Sequence, residues 1–159
     1  MDWTERWDVV FLLDVLEHIE DHLAVPRQVR KALRPGGFLF VTVPALSCFW
    51  SFYDEIGHHR RRYARRDLTR LAPLAGLELG RARYFMFFLS PLLLASRLRR
   101  PDLGAMTESE IRALILRTHA TPPAPINQLL RLVFSLETPL GWWVPFPWGA
   151  SVLGVFRRA

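Results

Sequence analysis

Trp7-Asp8-Val9-Val10-Phe11-Leu12-Leu13-Asp14-Val15-Leu16-Glu17-His18-Ile19-Glu20-Asp21 is the stretch on which the fold turns. The unbroken apolar run Val9 to Leu13 predicts a strand within residues 7–16, covered on both faces as in a parallel sheet. Asp14, Glu17, Glu20 and Asp21 crowd the segment after it. Such a crowd of carboxylates at a strand end belongs to a polar turn.

Outward from this stretch, strands and helices alternate. A helix is expected from about His22 to Leu33, with Leu23, Val29 and Leu33 on one side and Arg27, Arg30, Lys31 and Arg34 toward its C-terminal end. Pro26 removes a helical hydrogen bond, so the first turn should be irregular or the helix should start late. Pro35-Gly36-Gly37 stops it, and Phe38–Val43 repeats the buried-strand pattern up to Pro44. Residues 45–63 read as a loop or broken helix. A helix follows at Arg65–Ala75, closed by Gly76, then a strand at Leu77–Phe85 and a helix at Pro91–Arg99. Thr107-Glu108-Ser109-Glu110 is a capping box that opens another helix. Thr121–Ile126 reads as a linker, Ile126–Leu136 as an apolar helix, Pro139–Gly149 as a loop and Ala150–Phe156 as a last strand. This alternation predicts an α/β fold.

Composition narrows the function classes. The 159 residues make one domain, half of them hydrophobic and 23% charged, so the chain folds around a core. The lone cysteine, Cys48, excludes an internal disulfide and a multi-cysteine zinc site. The net charge of +6 is uneven: residues 1–56 carry −4, residues 57–100 carry +9 and residues 101–159 carry +1. The densest part is Arg60-Arg61-Arg62, then Arg65 and Arg66: a solvated basic face or a contact for phosphate, carboxylate or anionic lipid. Only Lys31 is a lysine, a bias that reflects genome composition and weakens the pI as evidence about partners. Nucleic acid is not expected as a partner, because aromatic residues do not alternate with the arginines. No basic-then-apolar leader opens the sequence, and the apolar run Tyr84–Leu98 is shorter than the roughly 20 residues of a spanning helix. The expected location is cytoplasmic, with peripheral membrane contact through Trp142, Trp143, Phe146 and Trp148 as one reading of that loop.

The Trp7–Asp21 stretch resembles the fourth strand of class I S-adenosylmethionine-dependent methyltransferases, where an aromatic, an Asp and apolar residues lead into "VLEH". Leu33-Arg34-Pro35-Gly36-Gly37-Phe38-Leu39 is similar to that family's turn into its fifth strand. Val41-Thr42-Val43-Pro44 and Asp54-Glu55, leading to His58-His59-Arg60-Arg61-Arg62-Tyr63, resemble a bacterial subgroup acting on small molecules or lipids. The close match covers residues 7–85, with 150–158 as the last strand. The resemblance implies a Rossmann-like methyltransferase sheet, incomplete: strands four to seven of an order 3-2-1-4-5-7-6, in a single partial domain over residues 1–159 with a helical, aromatic insertion at 86–149. The glycine-rich cofactor loop of the family's first half has no counterpart here. The strand near 8–16 should therefore be an exposed edge, open to a second chain or to self-association, and a fragmentary reading frame is the preferred explanation.

By that resemblance, Asp14, Val15, Leu16 and His18 would hold S-adenosylmethionine. Glu17 and His18 would wall the pocket or brace the turn, and His18 is not expected to bind metal, having no histidine at ligand spacing. His58 and His59 are the candidate general bases. Arg60, Arg61, Tyr63 and Tyr84 would contact the acceptor, a small molecule or a lipid-linked one. The implied activity is methyl transfer. The rival reading is a non-catalytic half-domain that binds a partner or a membrane surface.

Overall fold

The computed structural model describes residues 3–97 and 105–159. Trp7–Leu13 forms β1, Ala24–Ala32 α1, Leu33–Pro44 β2, Phe52–Ile56 α2, Arg65–Ala75 α3, Glu78–Phe85 β3, Ser90–Ser96 α4, Glu108–His119 α5, Ala124–Trp143 α6 and Ser151–Arg157 β4, with a 3-10 turn at Ser47–Phe49. The strand order is β1-β2-β4-β3, the 4-5-7-6 order that the resemblance implies. β1 and β2 are parallel, while β4 runs antiparallel to both β2 and β3.

Local chemistry explains the boundaries. Pro26 delays α1, which starts at Ala24 and so places the proline in the first turn, where its missing N–H costs nothing. Gly36 adopts φ +79° in the Pro-Gly-Gly turn, which is absorbed as an irregularity within β2, between the pairs Trp7–Leu33 and Val9–Phe38. Gly76 ends α3 in the left-handed region at φ +70°. Thr107 caps α5 through the expected box. The expected continuation of α4 to Arg99 lies outside the described residues.

One expectation needs correction at α6. The helix continues through Pro139 to Trp143, where sequence predicts a loop. The Thr138 hydroxyl donates to Phe134 O next to the proline. Glu137, buried, accepts from the backbone N–H groups of Phe87 and Phe88 at 3.0 Å each. This anchors the helix on the turn after β3, and Phe146 stacks on Phe87 with ring centroids 4.7 Å apart.

The sheet has unequal faces. Leu39, Val41, Val43, Val152 and Phe156 point into a core closed by Leu68, Leu71, Ala72 and Ala75 of α3. The opposite face is covered by α6 only near β3, where the Arg81 guanidinium sits 4.6 Å from the Trp142 ring centroid. β1 is therefore not covered on both faces as its composition predicts. It is the sheet edge, and Phe11 and Leu13 are 62% and 57% exposed. Among the described residues, Phe11 stacks on Phe40 of β2, ring centroids 5.1 Å apart. An unpaired edge beside exposed aromatics is an association surface.

Candidate functional site

Three strands finish, and one begins, at the same end of the sheet. Asp14 follows β1, Pro44 closes β2, Met86 follows β3 and Ser151 opens β4; all four line a cavity of about 380 Å³ with Glu17, His18, Phe49, His59, Arg62, Leu93, Arg97 and Ala150. Ligands of open α/β sheets bind at this carboxyl end. Backbone strain gathers here as well. Of the five non-glycine residues with positive φ among the described residues, Asp14 and Met86 line the cavity, Leu46 follows Pro44 closely and His58 adjoins His59. Such conformations persist where the surrounding structure forces them, and they concentrate at functional sites.

Asp54 organises one wall. Ser51 N–H donates to its carboxylate at 2.8 Å and closes the first turn of α2. Arg62 grips the same carboxylate with Nε at 2.8 Å and Nη2 at 3.1 Å, and donates a third bond to Ala45 O. His59 Nδ1 lies 2.9 Å from the other side of the pair, on Asp54 Oδ1. Burial alone would raise the Asp54 pKa, but the Arg62 fork, His59 and Ser51 outweigh it and hold the carboxyl below its ordinary value. An ionised Asp54 can only accept, so the His59 proton sits on Nδ1 and the lone pair on Nε2.

Glu17 forms the second wall. Its carboxylate is fully buried and neither oxygen has a hydrogen-bond partner. Burial, then the charge of Asp14, raises its pKa despite opposing bonds and cations. Its carbonyl accepts from Arg60 N–H at 2.8 Å, tying the turn after β1 to the His59 segment. The rings of His18 and His59 meet edge to face, with centroids 4.7 Å apart.

Several residues expected in the site stand elsewhere. Of the four expected cofactor residues, Asp14 and His18 line the cavity, Val15 is half-buried in the turn, and the Leu16 side chain is locked in the core. His59 lines the cavity; His58 is exposed and does not. Arg60 pairs with Glu20 and Arg61 donates to Glu20 O, both away from the cavity. Tyr63 is buried, its hydroxyl donating to Leu16 O and accepting from His22. Tyr84 is buried on the α3 side, where its hydroxyl accepts from Arg65 N–H. The basic cluster is thus spent largely on internal partners and forms no open phosphate cradle at this cavity. Glu17 was expected to wall the pocket or brace the turn and does line the cavity, Arg62 was read only as part of the basic cluster, and Asp54 was given no site role from sequence. The spacing Ser51-x-x-Asp54 is a capping signal that could have located Asp54.

A family model described as a methyltransferase domain matches residues 2–81, half of the sequence. The chain belongs to this methyltransferase family. That membership bears out the expected S-adenosylmethionine cofactor. Solved structures share the fold. They include a methyltransferase in complex with the Haloferax volcanii Trm112 methyltransferase activator (13% identity, 98% of this chain and 55% of that one, TM-score 0.53). A Mesorhizobium loti S-adenosylmethionine-dependent methyltransferase also matches (14%, 98% and 63%, 0.50), as does the cyclase SpnF (15%, 98% and 50%, 0.51). Identities this low show the fold alone. The chain spans about half to two thirds of these neighbours' length. No curated protein sequence matches it. A cyclase among the neighbours shows that this architecture does not fix the reaction.

The Asp14 carboxylate is exposed at the end of β1, steadied by the Thr42 hydroxyl at 3.3 Å. A carboxylate there suits the hydroxyls or the cationic groups of S-adenosylmethionine.

Proposed function

We propose that this chain supplies the acceptor-side half of an S-adenosylmethionine-dependent methyltransferase acting on a small or lipid-linked acceptor. The observation that carries the reading is the cavity at the strand ends, where Asp14 and His18 share one space with the Asp54–His59 pair. The cofactor supplies a methyl group already activated on a sulfonium, so the protein's work is positioning and proton management. Asp14 and His18 form the cofactor wall. His59 takes the acceptor's proton on Nε2, oriented by the Asp54 carboxylate on Nδ1. Met86, Leu93 and Phe49 give the apolar part of the acceptor wall. The opposite side of the cofactor is contributed from beyond the β1 edge, by another segment or another chain.

The test is a calorimetric titration with S-adenosylhomocysteine, with mass measured in the same sample. Saturable micromolar binding that weakens in Asp14→Asn supports the reading. Absence of binding by a folded sample, both alone and after association through β1, refutes the cofactor wall. A second reading, peripheral membrane contact, is favoured by the exposed Trp142 and Trp143, 65% and 82% accessible. No helix among the described residues is long and apolar enough to cross a membrane.

A further inference from the structure

We infer that Glu17, His18 and His59 form a binding site for a divalent transition-metal ion at the end of β1. Spacing along the chain offers His18 only His22, four positions on, and the fold takes that pair apart: the helix starts later, at Ala24, and His22 bonds the Tyr63 hydroxyl. The fold instead carries His59 from 41 positions downstream to the side of His18.

Three independent features point to a cation. The first is the donor set: one carboxylate oxygen and two imidazole nitrogens lie within 4.8 Å of one another. Ligands about 2.1 Å from one ion are about 3.4 Å apart in a tetrahedral site, so closure requires the donor atoms to draw together by up to about 1.4 Å. His18 is exposed and free to move. The second is Glu17, whose two buried oxygens are hydrogen-bonded to no other residue. A buried carboxylate left so is costly unless something else satisfies it, and it lines the same cavity as both histidines. The third is the Asp54–His59 hydrogen bond. A carboxylate on Nδ1 fixes the tautomer and leaves Nε2 free, the arrangement that metal-ligating histidines use.

The charge balance agrees. Asp14, Glu17 and the adjoining Asp54 bring three carboxylates; Arg62 and Arg97 bring two guanidiniums, and Arg62 is neutralised by Asp54. Two imidazoles and one carboxylate favour zinc, iron, manganese or cobalt over magnesium or calcium, which prefer all-oxygen sites. Three protein ligands leave positions open. An acceptor hydroxyl bound there is acidified by the ion and releases its proton to water, with no change of oxidation state. His59 Nε2 is then a ligand and not the proton acceptor. The inference shares its cavity with the methyl-transfer reading and does not depend on it.

The experiment is titration of the tag-free 159-residue chain with Co²⁺, without S-adenosylmethionine, followed by absorption and calorimetry. The expected result is one ion per chain with visible d–d bands, displaced by Zn²⁺. Glu17→Gln and His18→Gln should each weaken binding at least tenfold, and Asp54→Asn by about 10–100-fold. A general base at His59 alone would leave binding unaffected by Glu17→Gln. Mn²⁺ should broaden the ring-proton resonances of His18 and His59 in the parent chain, a readout that needs no variant. The inference is overturned by no saturable binding of Co²⁺, Mn²⁺ or Zn²⁺ up to about 1 mM, the weak limit of physiological cation sites. It is equally overturned by unchanged affinity in folded Glu17→Gln, or by broadening confined to His22 or His58. The S-adenosylhomocysteine titration is run without added metal and reads Asp14→Asn, which is not one of these three ligands, so the two readings fail separately.

Discussion

Replacing Asp54 by Ala should be among the most damaging single changes in the chain. Its carboxylate is fully buried and is gripped by the Arg62 fork, His59 and Ser51. The Arg62 side chain is only 8% exposed, so without Asp54 it keeps one acceptor, Ala45 O. Breaking a buried pair from one side costs about 3–5 kcal/mol, because the remaining charge stays buried and uncompensated. That is a large share of the roughly 5–15 kcal/mol that holds a domain folded. With a urea slope of about 2 kcal/mol per molar, the midpoint should fall by about 2 M. The assay is urea unfolding followed by circular dichroism and tryptophan fluorescence. Asp54→Ala/Arg62→Met should cost less than the sum of the single changes, since the double variant leaves no orphaned charge. Acid adds a check. The Asp54 pKa is lowered in the folded state, so its contribution is present above pH about 4 and is lost as pH falls through the folded value. The single variant should lack this part of the acid loss. A midpoint shift under about 0.5 M, or strict additivity in the double variant, would refute Asp54 as the organiser of the cavity wall.

Other expectations rest on separate contacts. Glu137→Ala leaves the Phe87 and Phe88 N–H groups unpaired and should cost about 1–3 kcal/mol; a loss under half that by thermal unfolding would show that water replaces it. Phe11→Lys places a charge on the exposed face of the edge strand and should reduce self-association in sedimentation; unchanged mass at high concentration would move the interface elsewhere. Burial, then Arg61, lowers the His22 pKa below its ordinary 6.5, so the unfolded chain takes the proton first as pH falls. Stability contributed by neutral His22 is therefore present above about pH 6.5 and declines below it. His22→Gln should flatten that decline, and an unchanged slope between pH 7 and about 5 would count against it.

Some of this was legible in the chain because the signals are local. The α3 limits follow from apolar periodicity and from Gly76, the residue that takes the left-handed turn at lowest cost. Pro26 and the Thr107 box mark helix starts by removing or supplying specific hydrogen bonds. The sheet order came from resemblance, since strand pairing is non-local. Where sequence failed, tertiary contacts decided. Pro139 reads as a breaker, yet α6 continues past it with Glu137 bonded across to the turn after β3. The apolar run in β1 reads as doubly buried, yet composition records only what a strand can cover, and within this chain one face and the edge stay open. The site was half visible. His59 and Asp14 carry obvious chemistry, and spacing marks Asp54 as a cap, but the weight of Asp54 and Glu17 in the cavity comes from burial, which sequence does not display.

Burial also explains why this end of the sheet is the place for chemistry. A carboxylate in water interacts weakly with its neighbours; Asp54 and Glu17, withdrawn from solvent, do not. Asp54 is fully satisfied and therefore rigid, and it passes that rigidity to Arg62 and His59. Glu17 is equally buried and unsatisfied. The two acids lie on different connections, one after β1 and one after β2, and both tie down the His59 segment: Asp54 through His59 Nδ1, Glu17 through its carbonyl on Arg60 N–H. A structural role needs only the first arrangement. The second holds free energy in reserve for a ligand, whether proton or metal ion, and it does so beside the exposed Asp14, at the carboxyl end of the edge strand. Completion of the sheet beyond β1 would bring any added segment alongside Asp14 and this unsatisfied group, so the open edge and the cavity are adjacent by construction of the fold.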